Sequence, residues 1–363
     1  MKFKIKKDVL VSGIQAVQNV ISSKSALPIL SNVLLEAHQD SIRLTATDLD
    51  IGISCVLPVN TSEPGLITIP AKKLGEIVKE LPADSISIST KKNNMVIIET
   101  DTCQFKIVGL SSEEFPKLPE FKDKEVIKID QGVLKEMLNL TSFAVSFDET
   151  RYILNGILFK IEKGNINLVA TDGKRLAIID KKINQSIDKD IRTIVPIKTI
   201  HELIRNLKDE GELSLIINNN QALFDLGNIV IISRLIEGEF PDYKQVVPGV
   251  SENKMFVERA EFLLAVKRAA LLSTPDYQAI KFEMFKDKLV VSKTTPDIGE
   301  SREELRIEYK GKELVIGFNP NYLIDVLKNL KDEKVCLEVT DSDKPAVVRV
   351  DGYTYVVLPM RLG

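Results

Sequence analysis

The stretch ILSNVLLEAHQDSIRLTATD (29–48) returns as ILNGILFKIEKGNINLVATD (153–172) and, more loosely, as AIKFEMFKDKLVVSKTTPD (279–297). Each copy alternates apolar with polar or β-branched residues, turns once on a short polar segment, and ends in an acidic turn, the pattern of two paired strands. A single echo of this kind could be chance. Three further landmarks keep the same order around it, at a spacing of roughly 122–128 residues. A short strand and amphipathic helix precede it: FKIKKDVLVSGIQAVQNVI (3–21), IKIDQGVLKEMLNLTSFAV (127–145) and MFVERAEFLLAVKRAALLS (255–273). A second helix follows, entered from a small or proline-bearing turn: IPAKKLGEIVKEL (69–81), VPIKTIHELIRNL (195–207) and FNPNYLIDVLKNL (318–330). A strand closes each unit: FKIVGLSSEEFPKLP (105–119), VIISRLIEGEFPDYKQVVP (230–248) and YVVLPMRLG (355–363).

Units of this length are too long for a solenoid repeat, so each is expected to be a domain with its own core. The expected boundaries are 1–124, 125–250 and 251–363, with joints in the proline- and charge-rich stretches FPKLPEFKDKE (115–125) and YKQVVPGVSENK (243–254). In the first unit Leu10, Ile14, Val17 and Ile21 form one helical stripe, and Asp8 sits where an N-cap belongs, as does Asp130 in the second unit. Segments such as SIRLTAT (41–47), SISIST (85–90) and MVIIET (95–100) read as strands. The sum is an α+β chain with two helices and roughly six to eight strands per unit. The strands should be antiparallel, because their connections are too short for parallel crossovers.

Composition excludes several classes. No apolar run approaches the roughly 20 residues of a membrane span, and the basic N-terminus MKFKIKKDVL lacks the apolar stretch of a signal peptide, so the expected location is cytoplasmic. Cys55, Cys103 and Cys336 are far apart and form no C-x-x-C, which reads as reduced thiols in or near cores. With His38 and His201 the only histidines, neither a zinc site nor a histidine-based triad can be assembled. The glycine-rich phosphate cradles are missing too, so no metal and no cofactor is expected. Asp48 and Asp172 recur at one place in successive units, which points to a structural turn rather than to catalytic carboxylates.

A net charge of −3 argues against a nucleic-acid binder only if charge is evenly spread. It is not. The helices lean basic, carrying Lys72, Lys73 and Lys79, then Lys135, Lys198, Arg205 and Lys208, then Arg259, Lys267, Arg268, Lys328 and Lys331, against fewer acids such as Glu136 and Glu202. Taken one at a time these are ordinary solvated faces. Repeated on helix after helix, they suit a shared surface for duplex phosphates. Tryptophan is absent and aromatics are only 6%, so neither a base-stacking platform nor a recognition helix is in view.

The chain resembles the bacterial replicative sliding clamps, the DNA polymerase III beta-subunit family, over its whole length. The resemblance is carried by LPILSNVLLE (27–36), SFDETRYILNGILF (146–159), VATDGKRLA (169–177), EGEFPDY (237–243) and YVVLPMRL (355–362). It implies the DNA clamp fold, three similar domains forming half of a six-domain ring that closes as a head-to-tail homodimer around double-stranded DNA without reading sequence. It implies a non-catalytic role: tethering the polymerase III alpha subunit, other polymerases and repair proteins, after loading by an ATP-dependent clamp loader. By position, DNA contacts fall on Lys24, Lys72, Arg151, Tyr152 and Lys198. The dimer interface falls on Phe105 and Ile107 facing Leu271 and Leu272, with Lys72 and Lys73 near the acidic segment 300–304. A pocket for short apolar peptide motifs falls on Leu154, Thr171, Gly173, Lys174, Arg175, Leu176, Pro241 and Val246 of the second unit. From the third unit it takes Asn319, Tyr322, Val356, Leu358, Pro359, Met360 and Arg361. Enzymatic activity, or a scaffold of this shape that binds no DNA, are the rival readings.

Overall fold

The computed structural model describes residues 1–21, 27–121, 125–183, 185 and 190–362. Each repeat contains two helices: α1 (Lys7–Val17) and α2 (Ala71–Glu80), α3 (Gln131–Thr141) and α4 (Ile197–Asn206), and α5 (Arg259–Ala270) and α6 (Pro320–Asn329). Every strand pairing among the described residues is antiparallel. No helix among them is long and apolar enough to cross a membrane.

The chain folds into two compact units, one of Met1–Lys135 with Lys198–Leu235, the other of Glu136–Ile197 with Ile236–Gly363. The central repeat therefore contributes to both. The first unit holds a five-stranded and an eight-stranded sheet, the second a nine-stranded and a four-stranded one.

The larger sheet of each unit is built from two repeats. In the first unit Ile229–Arg234, the closing strand of repeat two, lies beside Ile51–Pro58 of repeat one, with Ile231 opposite Ile53. In the second unit Tyr353–Val357, the closing strand of repeat three, lies beside Arg175–Lys182 of repeat two, with Tyr355 opposite Ala177. The same pairing is thus made twice. The two strands at corresponding places that find no partner of this kind among the described residues, Gln104–Val108 and Gly299–Arg306, each end their sheet.

Strand counts exceed expectation: the first and third repeats each show nine strands among the described residues. The additions are short continuations that change sheets. Ile51–Pro58 belongs to the eight-stranded sheet, yet Asn60–Glu63 just beyond it pairs with Lys2–Lys6 of the five-stranded one. Likewise Gly299–Arg306 is followed by Glu308–Tyr309, which pairs with Lys254–Glu258. A bend lets one extended run serve two sheets, and alternation of residue type does not reveal where it falls.

The helices cover the sheets with their apolar stripes. Leu10, Ile14 and Val17 of α1 are buried, each contributing about 1.5–3 kcal/mol. Close approach is secured at Gly13, where a Cβ would stand 2.5 Å from Leu57. Each repeat's first helix starts in the same way: the amides of Lys7, Gln131 and Arg259 donate to the carbonyls of Asp84, Gly211 and Glu333 at 2.9, 2.8 and 2.8 Å. Asp130 caps α3 by accepting from the Val133 amide at 2.9 Å. Asp8 does not cap α1: the helix begins at Lys7 with Lys6 in the cap position, two residues earlier than a cap at Asp8 requires, so Asp8 lies inside its first turn and accepts from the adjacent Val9 amide. Cys55 is buried, Cys103 and Cys336 are partly buried, and all are free thiols. Burial pushes the Cys55 thiol up to about 11.

Candidate functional site

The residues of the acidic turn dictate its shape locally. In repeat two Thr171 Oγ1 accepts from the Gly173 amide at 3.0 Å and donates to the Arg175 carbonyl at 2.6 Å, while Asp172 Oδ1 accepts from the amides of Lys174 and Arg175 at 2.8 and 3.0 Å. Repeat one makes the same four bonds with Thr47 and Asp48 on Leu49, Asp50 and Ile51. Both aspartates are turn-formers, as the repeat implied. The turns differ in cargo. The left-handed position is Gly173 (φ 86°) in one and Leu49 (φ 81°) in the other. Only glycine fits the first without strain, and a Cβ there would also stand 3.1 Å from Arg151 Nη1.

Arg175 leaves this turn pointing inward, its side chain only 9% exposed. The guanidinium binds Asp172 at 3.0 Å and Asp325 of α6 at 2.7 Å, and donates to the Phe143 carbonyl. It also stacks 4.5 Å above the Tyr322 ring and 5.6 Å from that of Phe143. Burial opposes the charge, but the carboxylates of Asp325 and Asp172 outweigh it and hold Arg175 more firmly protonated than in water. Burial raises the Tyr322 and Tyr355 phenols, so both stay neutral beside it.

Next to this turn opens an apolar cavity of about 230 Å³ lined by Leu154, Thr171, Gly173, Lys174, Arg175, Leu176, Pro241, Asp242, Val246, Val356 and Leu358. Through Leu176 and Val356 it adjoins a buried cluster that includes Leu158, Val169 and Ile178, with Ile153, Phe240 and Tyr243 packed against it. Ten residues singled out from the sequence meet here. Five do not line the cavity, each for a visible reason. Asn319 caps α6, accepting from the Asn321 amide at 3.0 Å, and Tyr322 lies under Arg175. Pro359, Met360 and Arg361 follow a tail that turns aside to bridge Gly317, whose carbonyl accepts from the Met360 amide at 2.8 Å. Asp242 was missed. It follows Pro241 and starts the short turn Tyr243–Val246, accepting from the Lys244 amide at 3.3 Å; its neighbours in FPDY were the available signal.

The basic residues are more constrained than their sequence suggested. Lys24 lies outside the described residues. Lys72 is exposed on α2, and Lys198 is ion-paired with Asp48, both in the first unit. Arg151 and Tyr152 are exposed in the second unit on the turn Glu149–Leu154. Glu202, which counted among the acids offsetting the helices, is buried: burial raises its carboxyl, and Arg205, Asn19 and Lys198 pull the other way. Its charge is therefore withdrawn from the surface.

The interface candidates sit on one sheet-end strand and on the loop that follows α5. Phe105, 40% exposed, and the half-buried Ile107 belong to the end strand Gln104–Val108. Leu271, 81% exposed, and the half-buried Leu272 follow α5. Their loop is held from behind: Lys293 Nζ donates to the carbonyls of Tyr277 and Ala279 at 2.7 and 2.8 Å, and Thr295 to that of Leu272 at 2.5 Å. In the acidic segment Glu303 already pairs with Arg268 and Glu304 with Arg302 and Lys288, while Lys73 pairs with Glu76. These internal pairs leave Lys72 and Glu300 as the better candidates for the charge contact expected between 72–73 and 300–304.

Comparison with known proteins covers the whole chain. The family described as DNA polymerase III beta subunit matches by its N-terminal domain over residues 1–119, its central domain over 128–242 and its C-terminal domain over 244–361. The beta sliding clamp of Chlamydia pneumoniae is 34% identical over 365 residues, spanning 100% of this chain and 99% of that one. The crystal structure of the DNA polymerase sliding clamp of Bacillus subtilis superposes with a TM-score of 0.94 at 32% identity, all of both chains covered. The Pseudomonas aeruginosa sliding clamp bound to griselimycin gives 0.94 at 34%, again over both whole chains.

Proposed function

Because the chain belongs to the DNA polymerase III beta-subunit family, and is thus a sliding clamp and processivity factor rather than an enzyme, we propose that two copies close head to tail into a ring around duplex DNA. Its three clamp domains are taken as 1–124, 125–250 and 251–363. One observation carries the ring: the pairing of a closing strand with the strand after the acidic turn is made between repeats two and one, and again between three and two. The strands left over, Gln104–Val108 and Gly299–Arg306, are the two halves of a third such pairing. Joining them across two copies repeats a tested geometry, hides two sheet ends and closes the ring, with Phe105 and Ile107 against Leu271 and Leu272.

Duplex DNA is held loosely, by exposed basic side chains such as Lys72 and Arg151 that touch phosphates without reading bases. Lys198 joins them only by leaving Asp48. The cavity beside Gly173 and Arg175 receives short apolar segments of the polymerase, the clamp loader and repair proteins. Griselimycin, bound by the Pseudomonas aeruginosa clamp, is its probe. The protein works in the bacterial cytoplasm and needs no cofactor of its own.

The test is topological. Loaded on nicked circular DNA by an ATP-dependent loader, the protein stays on the circle and is lost when the circle is cut. Equal retention on cut and uncut DNA refutes the ring.

A further inference from the structure

Arg151 is one of the proposed phosphate contacts and also touches the turn that lines the cavity. It lies in the turn Glu149–Leu154, where the backbone leaves helical geometry at Arg151 itself (φ −108°, ψ 47°). Its guanidinium reaches across to the acidic turn, donating from Nη1 to the Asp172 carbonyl at 3.3 Å and covering the face of Gly173. Its Nε lies 3.7 Å from Asp148, whose carboxyl is kept below its ordinary value by hydrogen bonds from the Thr150 hydroxyl and amide. Leu154, three residues on, lines the cavity that Thr171, Gly173, Lys174 and Arg175 also line.

The segment carrying Arg151 is stiff. The Ser146 amide donates to the Leu154 carbonyl at 2.9 Å and the Asn155 backbone amide to that of Tyr152 at 3.1 Å, and the Asn155 side-chain amide, in the orientation that satisfies both its ends, donates to the carbonyls of Ser146, Asp148 and Arg151. A pull on Arg151 is therefore passed to Leu154. The guanidinium itself is more than half exposed and its bond to Asp172 is long. A phosphate, accepting two short charge-assisted bonds from one guanidinium, competes well for such a group.

We infer that Arg151 is a positioning residue shared by both sites: it braces the cavity wall, and a duplex phosphate that takes it loosens the wall, so duplex and pocket ligand weaken each other's binding. This rests on the reading of the preceding subsection. The turn keeps its Thr171 and Asp172 bonds, so the wall is loosened rather than lost, and the coupling is about fivefold, at the low end of the usual range. Thermodynamic reciprocity requires the same factor in both directions.

The experiment measures griselimycin affinity of the full chain with and without a saturating short linear duplex at low ionic strength, and duplex affinity with and without griselimycin. Wild type should show about a fivefold loss in each direction. Arg151→Met, an exposed substitution, should bind griselimycin more weakly at the outset and no longer respond to duplex. If both ligands bind and neither affects the other, or if Arg151→Met keeps the response, the coupling is wrong while the two sites stand. If wild type binds no griselimycin, or no duplex, the site reading fails and the coupling falls with it.

Discussion

Replacing Arg175 with methionine should destabilise the unit that contains the cavity by about 2–3 kcal/mol. Removing one partner of a fully buried ion pair costs about 3–5 kcal/mol, because the other charge is left stranded; an exposed pair is worth about 0–1 kcal/mol. Here Arg175 is 9% exposed, Asp172 16% and Asp325 34%, so one stranded carboxylate is nearly buried and the other only about a third exposed. That places the cost between the two limits, nearer the upper one, since the Phe143 carbonyl and the Tyr322 ring also lose their partner. Methionine retains most of the stem, so the change reads the guanidinium rather than a void. Arg175→Lys keeps the charge but cannot fork to Asp172, Asp325 and Phe143 at once, and should recover less than half of the loss. The assay is denaturant unfolding followed by circular dichroism, with hydrogen exchange at 171–176 to localise the effect. If Arg175→Met unfolds within about 0.5 kcal/mol of wild type, the size of an ordinary surface substitution, the cluster is not what holds this turn to α6.

Leu271→Asp should convert the proposed dimer to monomer in sedimentation at micromolar concentration while leaving the thermal midpoint of the monomer unchanged, since Leu271 is 81% exposed; an unaltered dimer would refute the interface. Gly173→Ala and Leu49→Gly should have opposite signs: about 1 kcal/mol of destabilisation for the first, and up to about 1 kcal/mol of stabilisation for the second, because both positions need positive φ and only one has glycine. Chemical unfolding of the two variants checks this, and equal signs would refute the strain argument. Cys55 should resist alkylation in the native protein until pH approaches about 11. Because burial raises its thiol above the ordinary value of 9.0, the stability it contributes is complete below pH 9 and is lost towards pH 11, by about 2 kcal/mol relative to Cys55→Ala. A pH profile shared by wild type and Cys55→Ala would show that other groups govern the alkaline limb.

What was legible in the sequence was local or periodic. Helix stripes such as Leu10–Ile14–Val17, the cap at Asp130 and the turns at Asp48 and Asp172 depend on residues within four positions of one another, and the side-chain types dictate the bonds. Asp8 shows the limit even there: two residues of register move a capping aspartate into the first turn. The residues around the cavity were named through resemblance, and what the sequence could not give was which of them share one wall. Asn319 is spent on its helix through a local cap, and Met360 bridges Gly317 through a contact outside any sequence pattern.

The threefold repeat, the α+β class and the antiparallel pairing of neighbouring strands were thus determined by the sequence alone, because periodicity and short connections leave few alternatives. Only the tertiary structure decided how the repeats differ. It pairs repeat two with one and three with two, leaves Gln104–Val108 and Gly299–Arg306 at sheet ends, and brings together Lys198 and Asp48, 150 positions apart. The physical reason is that a strand edge or an ion is satisfied by whatever the fold brings beside it, and residues far apart along the chain meet only after the sheets have formed.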